Sequence, residues 1–333
     1  MKKSLLTLIL LAIILIGCKS PNDPEKFSES TGGYKIVSKT AALGFANDIC
    51  IKDSLAFIAQ GEGGLIIFNI SDKQNPKFLS TVSDKIKGYS GKIIFKDSVV
   101  YISAGSFGVS VVNVSKPLYP EVTATNLPIK PAESFCIMGD YLFTAMREGG
   151  VNIAEISFRT QPDIRGSIAN VPGYSQAAAI SVDSNYLFVA CGEMGMSMMN
   201  ISDLQNGYGE YNLAGYFDTP GYAEDIVVHP TLPYLFMACG TAGLIVLDVS
   251  DSSKIKVAGK YSTGGYAKEL IYNNSKIIIS TETRGVQVID VSNLQSPVKI
   301  ATIETEFALG ISEDAKQIYV ADKYEGLIII EKP

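Results

Sequence analysis

Short apolar runs and polar breaks alternate along the chain with a fixed rhythm. The segment GLIVLDVSD at Gly243 recurs as GLIIFNISD at Gly64, GVSVVNVSK at Gly108, GVNIAEISF at Gly150, GMSMMNISD at Gly195, GVQVIDVSN at Gly285 and, shortened, GLIIIEKP at Gly326. These seven copies lie 41 to 48 residues apart. Each follows a second apolar run, such as LAFIAQG or YLFMACG, whose third residue stands seven before the repeat glycine. A third run lies further upstream, NDICIKD in the first copy and EDIVVHP in the fifth. After each of the first six glycine segments comes a fourth, such as PKFLSTV or SPVKIATI. Runs this short, rich in Val, Ile, Phe and Tyr and bounded by Gly, Asp, Asn and Ser, predict four strands per unit. No segment after the N-terminal leader holds helical periodicity over eleven residues.

Seven four-stranded antiparallel units of this period predict an all-β, seven-bladed β-propeller over residues 34–333. A linear solenoid of sheets is the rival geometry, and the ends of the repeat decide against it. The seventh copy stops after its third strand, IIIEKP, while the repeat region opens with an orphan fourth strand, YKIVSKT at Tyr34. Pairing the two closes the ring and removes both open edges.

LIVLDVSD at Leu244, VQVIDVSN at Val286 and LIIFNISD at Leu65 resemble the repeat of the LVIVD family of bacterial and archaeal surface propellers. The resemblance runs over residues 34–333. It implies an exported or surface-attached propeller and supplies no catalytic residues. A WD-repeat reading is disfavoured, because the chain has no tryptophan.

The N-terminus changes the picture of where such a ring works. Lys2 and Lys3 precede thirteen uncharged residues, Leu5 to Gly17, and then Cys18. That run is too short to span a bilayer and reads as the apolar core of a signal peptide, residues 1–17. LIGC at Leu15 to Cys18 resembles a bacterial lipobox, which implies cleavage before Cys18 and acylation of its thiol. Residues 18–33 then form the lipidated cysteine and a polar tether rich in Pro, Ser and Gly. Lys19 is compatible with transfer to the outer membrane or cell surface, so a lipid-anchored protein of the bacterial cell envelope is expected.

The formal net charge is −6, and becomes −8 once Lys2 and Lys3 are removed, with no basic run anywhere. Nucleic acid and anionic lipid are therefore poor partners. Cys50, Cys136, Cys191 and Cys239 lie in or beside apolar runs without CxxC spacing, which favours buried thiols over a metal cluster, and spacing assigns no disulfide.

PGYAEDIVVHP, residues 220 to 230, gathers two acids and the chain's single histidine, His229, and invites an acid/base reading. The repeat divides it. Tyr222 aligns with Phe45, Tyr89, Pro131, Tyr174, Tyr266 and Phe307, so six of seven units place an aromatic just before the innermost strand. It serves as a packing corner, as a ring of aromatics around the channel mouth for stacking against flat apolar faces of a ligand, or as both in different blades. In other propellers ligands usually sit at this mouth. The turns between the second and third strands share the face, and their variable residues Arg147, Glu193, Arg284, Lys323 and Tyr324 are further ligand-binding candidates. Asp48, Asp225 and Glu269 suit carboxylates that cap backbone N–H groups. Together with Glu133 and Glu224 they also form the candidate ligand set for Ca²⁺, the one cofactor such oxygens would suit.

A single histidine excludes a His-based triad within one chain, and no GxSxG or HExxH occurs. The expectation is a non-catalytic binding module, monomeric, that recognises an envelope protein or glycan through the mouth loops. The alternative is a calcium-dependent, carboxylate-based hydrolase resembling the lactonase-type propellers.

Overall fold

The structure is a computed structural model, and it describes residues 30–206 and 211–333. The signal segment 1–17, Cys18 and most of the tether lie outside these residues. Seven sheets of four antiparallel strands form a closed ring. Blades 1 to 6 take their strands in chain order from residues 48–82, 93–127, 134–168, 177–217, 225–261 and 269–303. Blade 7 combines Ala308–Glu313, Gln317–Asp322 and Gly326–Glu331 with Lys35–Thr40 from the other end of the chain. Lys35 opposes Glu331 and Thr40 opposes Leu327, so the orphan strand closes the ring in antiparallel register.

The first strand of each blade is innermost, since these strands neighbour one another around the axis, from Asp48–Lys52 of blade 1 to Ala308–Glu313 of blade 7. The second and third strands are almost wholly buried, as in YLFMA and LIVLD of blade 5. Such continuous apolar runs are required because a blade is covered on both faces by its neighbours. Each of the seven apolar clusters accordingly draws on two adjacent blades; Phe188 and Met198 of blade 4, for instance, pack with Leu235 and Ile245 of blade 5. Fully burying one such side chain contributes roughly 1.5–3 kcal/mol, so the ring is held chiefly at its seven interfaces.

The four cysteines are free thiols dispersed through these clusters. Burial pushes Cys136 and Cys239 up to about 12 and Cys191 up to about 11, which keeps them protonated and unreactive at neutral pH.

The last glycine of each turn between strands two and three has positive φ, and its role is spatial as well as conformational. A Cβ on Gly108 would lie 2.0 Å from the carbonyl oxygen of Leu127, the end of the same blade's outermost strand. No other residue lets the outer strand approach the turn so closely.

The loops entering the innermost strands and these turns share one face, the mouth. The short hairpins, including His229–Pro233, occupy the other. Both ends of the described ring also lie there: Gly33 sits against Pro333, and Tyr34 faces Asn273, Glu313 and Lys332.

Candidate functional site at the channel mouth

The mouth is built from one repeated corner, in which the aromatic and the residue after it do different work. The residue after the aromatic bridges to the first turn residue of the preceding blade: Gly61 with Ser90, Gly105 with Ala132, Arg147 with Ser175, Gly192 with Ala223, Gly240 with Ala267 and Glu282 with Ala308. Among the described residues, six of the seven interfaces are zipped this way, and the one between blades 7 and 1 is not. The aromatic ring then lies over the first turn residue of the preceding blade. A Cβ on Gly61, Gly192 or Gly240 would fall 2.8 to 3.0 Å from the rings of Tyr89, Tyr222 and Tyr266. These rings pack on glycine backbone while remaining partly in solvent, with Tyr89 and Tyr174 each close to half exposed. The corner therefore serves as packing and leaves part of each ring accessible.

The next position, that of Glu224, forms the wall of a central cavity of about 310 Å³. Asn47, Gly91, Glu133, Gln176, Glu224, Lys268 and Leu309, one from each blade, all line it. Its charges are satisfied among themselves. Glu224 accepts hydrogen bonds from Tyr266 Oη and Lys268 Nζ, both at 2.6 Å. Glu133 is paired with Arg147 Nε at 2.6 Å, and Asn47 accepts from Tyr89 Oη at 3.2 Å. Burial, reinforced by the Glu224 carboxylate, pushes the Tyr266 phenol far above its usual value, so it stays a donor.

One residue deeper, the carboxylates fasten each blade to the next. Asp48 accepts from Ile93 N at 2.8 Å, Asp225 from Leu270 N at 3.0 Å and Glu269 from Ile311 N at 3.3 Å. In each case the donor lies on the innermost strand of the following blade, and the carboxylate satisfies an N–H that the neighbouring strand cannot reach. Lys92 reaches across the channel from blade 2 to Glu269 of blade 6 and lies 3.7 Å from Asp48. Burial raises Asp48 and Asp225 above the usual carboxylate range, although Lys92 and the backbone N–H groups pull them back down.

The five carboxylates proposed for Ca²⁺ thus divide between a capping layer and two ion pairs in the cavity wall. Among the described residues no three His, Cys, Asp or Glu side chains are grouped so as to hold a metal ion. His229 lies on the opposite face, where its Nδ1 accepts from Thr231 N at 3.2 Å and Leu232 N at 3.0 Å. It caps its hairpin and is remote from the acids of its own strand, about 13 Å along the chain at strand rise.

The remaining candidates lie on the mouth rim. Glu193 and Arg284 are exposed, and a Cβ on Gly265 would meet the Arg284 stem at 2.8 Å. Phe45, Phe307, Lys323 and Tyr324 come together at the unzipped interface. Lys323 Nζ stands over all three rings, 5.4 Å from the centroid of Phe45, 5.2 Å from Phe307 and 5.3 Å from Tyr324. Tyr324 meets Phe45 and Phe307 edge to face at 5.9 and 5.8 Å. The adjoining cleft, about 700 Å³, runs from this cluster to Tyr89, with Leu43 and Glu62 on its walls. Sequence reasoning placed each aromatic on the rim but not the supports beneath them, Gln60 and Asp322, which look like ordinary strand-end residues.

Among known proteins, the LVIVD repeat matches residues 43–84, 174–206 and 220–263. No curated protein matches the chain. Similar solved structures include the WD40 β-propeller domain of Doa1, with a TM-score of 0.70 at 10% identity, covering 90% of this chain and 97% of that one. The computationally designed Ika8 protein is also similar, with a TM-score of 0.62 at 10% identity over 86% of this chain and 83% of the other. At such identity these likenesses concern the fold alone. Blade architecture, ring closure and matched repeats agree: the chain is a seven-bladed β-propeller that carries LVIVD repeats.

Proposed function

We propose that the protein is a non-catalytic binding module of the bacterial cell envelope, anchored by lipid on Cys18, that recognises a protein or glycan at its mouth face. One observation carries this reading: half-exposed aromatics stand around a central cavity whose acids and cations are already bound to one another, with an open aromatic cleft beside it. Groups consumed in this way hold a recognition surface in shape rather than waiting to transfer protons. The LIGC segment supports the anchor, and Lys19 supports placement at the outer membrane or cell surface. Two acyl chains, at about 0.8 kcal/mol per buried methylene, suffice for stable attachment. The module works as a monomer.

Two measurements test the reading. Replacing Phe45, Tyr89 and Tyr324 together with alanine is expected to abolish retention of envelope components on the immobilised protein while leaving the thermal transition cooperative; undiminished retention by the folded variant would place the binding face elsewhere. Cys18→Ser is expected to move the protein from the detergent to the aqueous phase on partitioning, and no change would remove the anchor from the proposal.

A further inference from the structure

The cleft between blades 7 and 1 combines three features that no other part of the mouth joins. It lies at the interface without a bridge, it holds the largest exposed aromatic cluster on this face, and its cation, although near enough to Glu282 to pull that carboxyl down, makes no direct ion pair among the described residues. Each wall is fixed by a fully buried polar side chain. Asp322 accepts from Tyr324 N at 3.0 Å, Glu325 N at 2.9 Å and Phe307 N at 2.6 Å, which locks the turn that presents Lys323 and Tyr324. Gln60 accepts from Leu43 N and Gly44 N, both at 3.1 Å, and donates to Gly63 O at 3.0 Å, which locks the loop that presents Phe45. A site held this firmly costs a ligand little ordering of the protein.

The chemistry of the walls selects a class of ligand. Three ring faces hold the Lys323 ammonium by cation–π attraction, which fixes its position without neutralising its charge. That charge is available to an anion entering the cleft. Phe45, Tyr89 and Tyr324, 49, 46 and 51% exposed, offer flat apolar surface beside it. Glu62 stands exposed on the same cleft and can accept hydrogen bonds from hydroxyl groups but repels a second anion. A ligand that uses all three features carries one carboxylate, a ring with an apolar face and several hydroxyls. We infer that this cleft binds acidic oligosaccharides through a hexuronate unit, with the carboxylate on Lys323, the sugar ring against the aromatics and its hydroxyls donating to Glu62. This inference rests on the binding-module reading above and names the ligand class and the position of its site.

The test is calorimetric titration of the full chain with a short oligogalacturonate and with the neutral oligogalactoside of equal length, in the wild type, Lys323→Met and Lys323→Arg. The expected result is saturable binding of the uronate with at least tenfold weaker binding of the neutral sugar, a tenfold or greater loss in Lys323→Met, and substantial recovery in Lys323→Arg. Lowered ionic strength strengthens the uronate interaction alone. Equal affinity for the two sugars, or uronate binding indifferent to Lys323→Met, overturns the inference. So does absence of uronate binding, or displacement of Lys323 from its rings by an alkylammonium ion that binds in its place, followed by the ring resonances. If envelope retention still depends on Phe45, Tyr89 and Tyr324 in those cases, only the ligand class has failed; if it does not, the binding-module reading fails with it.

Discussion

Lys92 and Lys323 both belong to the mouth face, and the protein treats their charges in opposite ways. Lys92, at the throat, is held by Glu269 and lies beside Asp48, and both carboxylates in turn fasten the innermost strands of neighbouring blades. Lys323, at the seam, rests on three aromatic rings with no carboxylate partner in the described ion pairs. The throat resolves its electrostatics internally and gains a fixed geometry. The seam holds its charge on aromatic rings without a direct ion pair, where the ligand proposed above would meet it. In a ring of seven similar blades, function is most visible where the repeat fails to satisfy itself.

The strongest way to break this contrast is Lys92→Met. Removing one partner from a buried ionic cluster leaves Asp48 and Glu269 uncompensated, and the expected loss is about 3 kcal/mol in denaturant unfolding. A loss within error of zero would mean that the throat is not held by charge. Next in size is a comparison of two glycines with nearly equal φ. Gly240 lies beneath the Tyr266 ring, whereas a Cβ on Gly105 would meet nothing within 4 Å, because Pro131 takes the aromatic's place in the next blade. Gly105→Ala is expected to cost about 1 kcal/mol from backbone strain alone. Gly240→Ala adds displacement of the ring and costs about 2 kcal/mol or more by overpacking; equal costs would show that the aromatic does not rest on the turn.

A smaller effect separates the capping carboxylates from ordinary ones. Asp225 is raised chiefly by burial, so between the usual carboxylate range and its raised value the folded protein binds a proton that the unfolded chain has released. Over that window stability falls as pH rises. Asp225→Asn lacks the effect, and its stability relative to the wild type is expected to climb from about pH 4 upward and then level off; a pH-independent difference would contradict the assignment. The smallest change is expected at the seam, where Lys323→Met alters folding stability by less than about 1 kcal/mol, the scale of an exposed cation–π contact. A loss as large as that of Lys92→Met would make Lys323 structural and erase the contrast.

The fold was legible because its signals are local or periodic. Period, strand order and the orphan strand at Tyr34 follow from neighbours in sequence, and the shared corner at Tyr222 follows from alignment of the copies. Lys92 and Glu269, by contrast, meet across the channel 177 positions apart. Nothing in either segment marks that contact, and their unlike residues at one repeat position resemble drift. Lys323, Phe45 and Tyr324 were each legible as mouth candidates, but their meeting was not, since Phe45 and Tyr324 stand at opposite ends of the chain and only closure makes them neighbours. Asp322 reads as the polar end of QIYVAD, and its three backbone contacts depend on a turn geometry unique to blade 7.

The strand that completes blade 7 also imposes an order of events. Blades 1 to 6 are each assembled from consecutive strands and draw on short-range contacts, whereas Lys35 must find Glu331. Such a long-range pairing forms slowly, because the chain entropy of a very large loop is lost before the contact rewards it. Until then the Gly326–Glu331 strand presents an unpaired flank, open to the equivalent N-terminal strand of another molecule. At high concentration during refolding, exchange of this one strand is the expected route to misassembled dimers, and the cleft that depends on closure would then be shared between two chains.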